Sequence, residues 1–484
     1  MNKYFILILL FFVKVTFSQL QNTNDVIEKL KLDSVLQHAS WGICIIDNSN
    51  GNILVDKDKS VSLVPASSTK TITTSSALAL LGEDYTYKTQ VYYEGQIVNH
   101  TLKGNLFIQG SGDPTIGSSK MEQSISEETF ISNIIGVLKK FEIQKIEGSV
   151  LVDASCFNGF PTPITWNWSD IGNNYGAGSF GFNSRDNEFV IQCNPTKKNQ
   201  APEIEVSPVI PSLHIINEFY CTDTVNNGDD AYVFGAAYDN NRLLNGPVPL
   251  NAAIKVKGSM PDPPFYFASL LTEKLAASGI EVTGFPATDR TLQHMDALRS
   301  EEKNSLYTYV SPPLKDIITA TNQMSLNLYA ESLLKTISKE INGVATAADG
   351  LQLIVQYWKS KGVDLDGFYM KDGSGLSRHN AISPYHFAQI LYAISKENYF
   401  STFKKSLAVA GESGTLKSLC VGTNAAGKII AKSGTVERGI SYTGYVQSSS
   451  GKQLTFCMIF NNYTCTNAIL RKKIEQLMVA MSKI

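Results

Sequence analysis

The stretch VPASSTK, residues 64–70, sets Ser67 and Lys70 three positions apart just ahead of an apolar helical run. On a helix, residues three apart share a face and residues two apart do not. The lysine can therefore reach Ser67 but not Ser68. A hydroxyl beside an amine that burial discourages from holding its proton forms a nucleophile–base pair. The spacing alone proves little, because Ser-x-x-Lys recurs at Ser332/Lys335, Ser401/Lys404 and Ser449/Lys452. What separates the first pair is its setting: Pro65 and Ala66 lead from a strand-like run into a helix whose first turn carries it.

Two further clusters have chemistry to offer. In ATNQMSLNLYAESLLK, Ser325 and Asn327 are polar groups that fit a helix–helix junction better than a helix interior. There they could relay a proton and hold a substrate amide, or simply form a surface turn. In AKSGT, Lys432 ends a strand-like run as a fixed cation for a substrate carboxylate. Ser433 and Thr435 add hydroxyls, and Gly434 admits a close backbone approach. An edge strand there could bind a peptide by strand addition, although an edge lysine also serves merely to block aggregation.

The elements that must position these groups are readable in outline. WGICIIDNSNGNILVDK reads as a hairpin with an Asn-Gly turn, preceded by a helix over 24–37. Residues 89–153 mix strands with an amphipathic helix over 130–141, and a helix over 267–278 followed by GIEVTG restores that character. Residues 156–250 are loop-rich, as in WNWSDIGNNYGAGSFG. Helices are expected over 315–338, 347–361 and 384–397, then strands, then a last helix over 467–484. Hairpin strands flanked by terminal helices pack as one layered α/β unit, with the middle of the chain inserted into it. The reading divides the chain into a leader (1–18), a discontinuous catalytic domain (19–88 and 300–484), an inserted α/β domain (89–155 and 255–299) and a second, mostly β insertion (156–254).

At 484 residues, 43% hydrophobic and 18% charged, the chain is an ordinary globular protein of more than one domain. A net charge of -2 carries no footprint for nucleic acid. MNKYFILILLFFVKVTFSQ combines Lys3, a short apolar run and small residues before Gln19, the pattern of a cleaved export leader. A short membrane anchor is the rival reading. The expected location is the periplasm or cell envelope, with membrane association at most peripheral. The seven cysteines form no CxxC and the histidines show no metal spacing, so neither metal nor cofactor is expected. Export would permit a disulfide, for which Cys193 and Cys221 are the candidate pair.

A Ser-x-x-Lys pair, then Ser-x-Asn, then Lys-Ser/Thr-Gly is the motif set of penicillin-binding proteins and serine β-lactamases. The wide gap between Ser67 and Ser325 resembles the type-4, or class C low-molecular-mass, penicillin-binding proteins, which are D-alanyl-D-alanine carboxypeptidases and endopeptidases. VPASSTKTITT, GNLFIQGSGDPTIG, VLVDASCF, NNYGAGSFGFN, YAESLLK, DGSGLSRHN, AGESGTL and AKSGT carry that resemblance along nearly the whole chain. Leu326 stands where aspartate is commoner, and Ser433 where threonine is. The resemblance implies an antiparallel sheet flanked by helices, with two inserted smaller domains. It implies that Ser67 attacks the penultimate D-alanine carbonyl with Lys70 as base, and that Ser325 passes a proton to the leaving nitrogen. Asn327 would hold the substrate backbone, and Lys432 the terminal carboxylate beside Ser433, Gly434 and Thr435. The oxyanion hole would be the backbone N–H groups of Ser67 and Thr435. Peptidoglycan stem peptides would be substrates and β-lactams covalent inhibitors. Asp153 and Arg378 are candidates for a diaminopimelate side chain, or else a strand-end cap and a loop ion pair. A β-lactamase or esterase, and a wall-binding scaffold with a vestigial site, are the competing functions.

Overall fold

The computed structural model describes residues 20–223, 230–293 and 303–484; the expected leader, 1–18, lies outside them. Two compact units emerge. One comprises residues 1–83, 318–326 and 351–484, and the other 84–317 and 327–350.

The first unit is built on a six-stranded sheet. Its strands run in the order Ala408–Val409, Ile429–Val436, Gly439–Gln447, Gln453–Asn461, Ser40–Asp47 and Ile53–Lys57. Every pairing is antiparallel. The last two strands are the anticipated hairpin: the Gly51 N–H donates to the Asp47 carbonyl at 2.8 Å, and Gly51 takes φ +79°, which a glycine adopts freely. Residues 439–446 are buried without interruption, so the sheet is covered on both faces. On one face, Ile43, Ile45 and Phe456 pack with Leu470, Ile474 and Leu477 of the helix Asn467–Met481, and with Ile27 and Leu30 of the helix 20–31. On the other, Cys44 and Ile46 meet Ala388 of the helix Pro384–Ile394, and Tyr445 donates its hydroxyl to Leu391 O at 2.9 Å.

The helix Lys70–Leu81 has no polar face to show: residues 70–78 are all buried. Its serines and threonines are poor helix formers, and their hydroxyls find acceptors on the preceding turn. Thr71 donates to Ser68 O, Thr74 to Lys70 O and Ser75 to Thr71 O. Trp358 Nε1 donates to Ser76 Oγ at 2.9 Å, and Asn322 Nδ2 to Thr74 Oγ1 at 3.2 Å.

One long helix over 315–338 is not what forms. The segment breaks into Leu314–Met324 and Asn327–Asn342, with Ser325 at φ +63° in the left-handed region. The apolar periodicity on either side concealed a two-residue break.

In the second unit, a five-stranded sheet orders Ala287–Thr288, Val150–Asp153, Leu106–Gln109, Lys88–Tyr93 and Asn304–Val310. The helices Glu127–Lys140 and Pro263–Ala277 share its core, with Phe130 and Phe267 ring centroids 5.6 Å apart. Strands between residues 188 and 259 make two three-stranded sheets. The division differs from the sequence boundaries: the two insertions read as separate fall in one unit, which also takes residues 84–88 and 303–317. Asn304–Val310, assigned to the catalytic domain by a boundary at 300, pairs with Lys88–Tyr93, and residues 327–350 also fall in this unit. The candidate disulfide does not form either. All seven cysteines are free thiols, and Cys193 and Cys221 sit on strands of different sheets. No helix among the described residues is long and apolar enough to cross a membrane.

Phe456 lies in the middle of the first unit's sheet with no exposed surface, opposite Ile45 and Gly444. Phe456→Ala is expected to lower stability by roughly 3–5 kcal/mol through lost burial and a residual cavity, read as a shifted midpoint in chemical denaturation.

Candidate active site

Pro65 O and the 3₁₀ turn Ala66–Thr69 deliver Ser67 to the start of the helix Lys70–Leu81. Ala66 takes φ +49°, a conformation that costs a residue with a Cβ about 1–2 kcal/mol. The turn is held from both sides. Ser441 Oγ donates to Pro65 O at 2.5 Å, so Ser68, with its Oγ 2.7 Å from Ser441 Oγ, is the donor in that pair. Thr69 Oγ1 donates to Ala66 O at 2.9 Å. Ser68 and Thr69 are thus spent on structure, and both are fully buried. Ser67 keeps partial exposure and lies with its Oγ 2.9 Å from Lys70 Nζ.

Lys70 has no exposed surface, and its Nζ also donates to Ser374 O at 2.7 Å. That carbonyl belongs to the DGSGLSRHN loop, whose shape is set by the buried Asp372. One carboxylate oxygen of Asp372 accepts Gly375 N (2.9 Å) and Asn380 Nδ2 (2.8 Å), and the other accepts Ser377 N (2.7 Å). Thr73 Oγ1 donates to Gly373 O at 2.6 Å, tying the loop to the helix one turn past Lys70. Gly375 adopts φ +83°, and a Cβ there would lie 1.9 Å from Ala66 O. The loop therefore packs backbone to backbone on the serine turn. Sequence reasoning used DGSGLSRHN only as a mark of resemblance. Its glycines and its buried aspartate were the available signals for a loop that must make this close approach.

Ser325, at its left-handed break, accepts a hydrogen bond from Lys432 Nζ at 2.9 Å, and Lys432 also donates to Ser433 O at 2.6 Å. Lys432 is fully buried, and burial first, then the neighbouring Lys70 charge, hold its pKa well below the usual lysine range. The strand Ile429–Val436 brings it here. On one side that strand pairs along its whole length with Gly439–Gln447. On the other, Ala408–Val409 covers only Ile430 and Ala431, and no further strand among the described residues pairs with that edge from Lys432 on. A Cβ on Gly434 would lie 2.9 Å from Ser67 N and 2.7 Å from Pro65 O, so the strand and the serine turn touch by backbone. Thr435 is exposed, and Ser433 Oγ donates to Thr415 Oγ1 at 2.7 Å. Arg378 Nη1 donates to Glu437 O at 2.7 Å, just past the strand's end.

Ser67, Lys70, Ser325, Lys432, Ser433, Gly434, Thr435 and Arg378 all belong to the first unit. Asn327 and Asp153 do not. Asn327 starts the helix Asn327–Asn342 and its Nδ2 donates to Tyr175 O at 2.7 Å. Asp153, buried at the end of its strand, accepts Ser155 N at 3.0 Å. Among the described residues, no group of three or more His, Cys, Asp and Glu side chains could hold a metal.

A serine–lysine pair under an antiparallel sheet, with a second lysine on the edge strand beside it, defines the class of the penicillin-binding proteins and serine β-lactamases. Comparison with known proteins agrees. The crystal structure of penicillin binding protein 4 (dacB) from Haemophilus influenzae matches with a TM-score of 0.81 at 20% identity, over 96% of this chain and 100% of that one. Among curated proteins, D-alanyl-D-alanine carboxypeptidase of Actinomadura sp. (strain R39) is 26% identical over 92% of this chain and 82% of its own length. D-alanyl-D-alanine carboxypeptidase DacB of Haemophilus influenzae is 23% identical over 92% and 88%. The chain belongs to the D-Ala-D-Ala carboxypeptidase 3 (S13) family, whose profile matches residues 23–483. It is accordingly a hydrolase of the serine DD-carboxypeptidase type.

Gly375→Ala would force the DGSG loop off the serine turn and move the Ser374 carbonyl that holds Lys70. Displacements of this order cost about 10²-fold in reactions that depend on placement. That loss is expected in the rate of labelling by a fluorescent penicillin, with the circular dichroism spectrum unchanged.

Proposed function

We propose that this protein is an exported serine peptidase that removes the terminal D-alanine from peptidoglycan stem peptides through a Ser67 acyl-enzyme. The observation that carries this reading is the 2.9 Å approach of Lys70 Nζ to Ser67 Oγ, with Lys70 held in turn by Ser374 O.

Lys70, as the free amine, takes the Ser67 proton while Oγ adds to the penultimate D-alanine carbonyl. The N–H groups of Ser67 and Thr435 stabilise the oxyanion, a reading supported by the close backbone approach of Gly434 to Ser67 N. The C–N bond then breaks. The proton reaches the leaving nitrogen through Ser325, and D-alanine departs. Water, deprotonated by Lys70, hydrolyses the Ser67 ester and restores the enzyme. A substrate laid along the open edge from Lys432 to Thr435 gains backbone hydrogen bonds, and its terminal carboxylate meets Lys432. A β-lactam acylates the same serine and deacylates slowly. Arg378, fixed on Glu437 O near the end of that strand, is the candidate contact for a charged stem-peptide side chain. The roles that the resemblance gives Asn327 and Asp153 rest on sequence alone.

Mass spectrometry after exposure to a fluorescent penicillin is expected to find a single adduct on Ser67, lost in Ser67→Ala and retained in Ser68→Ala. Release of D-alanine from a pentapeptide is expected to be lost with it. An adduct elsewhere, or D-alanine release by Ser67→Ala, would refute the mechanism.

Lys432 supplies a second check. Burial, then the Lys70 charge, lowers its pKa in the free protein, and an arriving carboxylate favours the ammonium. Binding should then draw a proton from solvent, and affinity should weaken as pH rises. Calorimetric titration of an unreactive acyl-D-alanyl-D-alanine analogue in two buffers of different ionisation enthalpy is expected to show proton uptake. Lys432→Met should abolish that uptake.

A further inference from the structure

Of the decoy pairs Ser332/Lys335, Ser401/Lys404 and Ser449/Lys452, only the first is buried at both positions. Lys335 lies on the helix Asn327–Asn342 of the second unit and lines a cavity of about 470 Å³ formed wholly within that unit. This volume suits a small organic molecule.

Some polar groups on its wall are donors with capacity to spare. Lys335 Nζ donates to Ser179 O at 2.9 Å and Phe160 O at 3.3 Å, two neutral acceptors for an ammonium with three N–H bonds. Burial pushes its pKa down to about 8, which an anion in the cavity would reverse. Ser179 is 1% exposed, and its Oγ has no hydrogen-bond partner among the described residues. Arg290 has a buried Nε that likewise lacks one, while its guanidinium lies 4.3 Å from the Tyr238 ring centroid and 3.3 Å from Asp262. The wall's two acids are already engaged by backbone: Asp262 accepts Phe265 N at 3.0 Å, and Asp289 accepts Ala154 N at 2.9 Å. A buried donor left without an acceptor costs about 1–3 kcal/mol, so the two on this cavity, Ser179 Oγ and Arg290 Nε, mark a place for ligand oxygens beside Lys335. Phe157, Phe160 and Tyr238 add aromatic surface to the wall, next to polar groups such as Asn158 and Thr288. Asp153 is not among the residues that line it.

We propose that this cavity is a binding site for a small carboxylate with an apolar body. The carboxylate oxygens are received by Lys335, Ser179 and Arg290, and the apolar body lies against Phe157, Phe160 and Tyr238. The site is separate from the Ser67 chemistry and does not rest on it.

The test is titration of the full chain with phenylacetate, and with phenylacetamide as the uncharged match, followed by saturation-transfer NMR. Saturable binding of phenylacetate alone is expected, unchanged after Ser67 has been blocked with penicillin. Arg290→Gln and Ser179→Ala should each weaken it about tenfold, given the strength of hydrogen bonds to charged groups. Both variants should keep the wild-type melting temperature and penicillin labelling, and Ser179→Ala is small enough to keep the fold if Arg290→Gln does not. Absence of saturable binding would overturn the proposal. So would equal binding of the amide, or binding that penicillin abolishes and both substitutions spare. Failure of penicillin to label the wild type would count against the acyl-enzyme reading and leave this site standing.

Discussion

Two lysine side chains, Lys70 and Lys432, are buried close enough that Lys70 lowers the pKa of Lys432. Removing such a cation from water costs several kcal/mol even after the protein relaxes. The first unit is organised around that cost. Hydroxyl and carbonyl oxygens from four separate places in the chain are aimed at the two nitrogens: Ser67, Ser374, Ser325 and Ser433. These oxygens hold the two nitrogens in place.

The surrounding structure serves the same geometry. A helix as rich in serine and threonine as Lys70–Leu81 would be a weak element alone. It holds because its hydroxyls are satisfied on the helix and the turn before it, by the Gly373 carbonyl, or by Trp358 and Asn322. Strain at Ala66 and Ser325, both at positive φ, is concentrated at the turns that present the Ser67 and Ser325 hydroxyls to the two lysines. The sheet supplies the rigidity to hold that strain, with a central strand buried along nearly its whole length and helices on both faces.

Legibility in the sequence followed locality. Ser67 with Lys70, and the run from Lys432 to Thr435, are contacts within one turn or one strand end, so spacing and phase expose them. The hairpin at Asn50–Gly51 was readable for the same reason. The Ser325 break was half visible: Ser and Asn hinted at a junction, while the apolar pattern over 315–338 argued for one helix. The strand Asn304–Val310 went to the wrong unit because its partner, Lys88–Tyr93, lies some two hundred residues earlier. The proposed Cys193–Cys221 bridge failed on the same ground, since two strand residues give no sign of which sheet each will join.

By itself, the sequence determined which atoms are available for chemistry and in what order: a serine with a lysine one turn on, a Ser-x-Asn, and a lysine before Ser-Gly-Thr. Only tertiary structure decided that Lys70 and Ser67, among the Ser-x-x-Lys pairs of the chain, meet at 2.9 Å beside the Ser374 carbonyl. A carbonyl from Ser374 and the close approach of Gly434 reach Ser67 and Lys70 from more than three hundred residues away. Lys335, identical in local spacing, is buried instead among aromatic rings and spare donors. The reason is physical. A side chain's reactivity depends on solvation and on nearby dipoles, and both are supplied by whatever the fold places within a few ångströms, however distant it is along the chain.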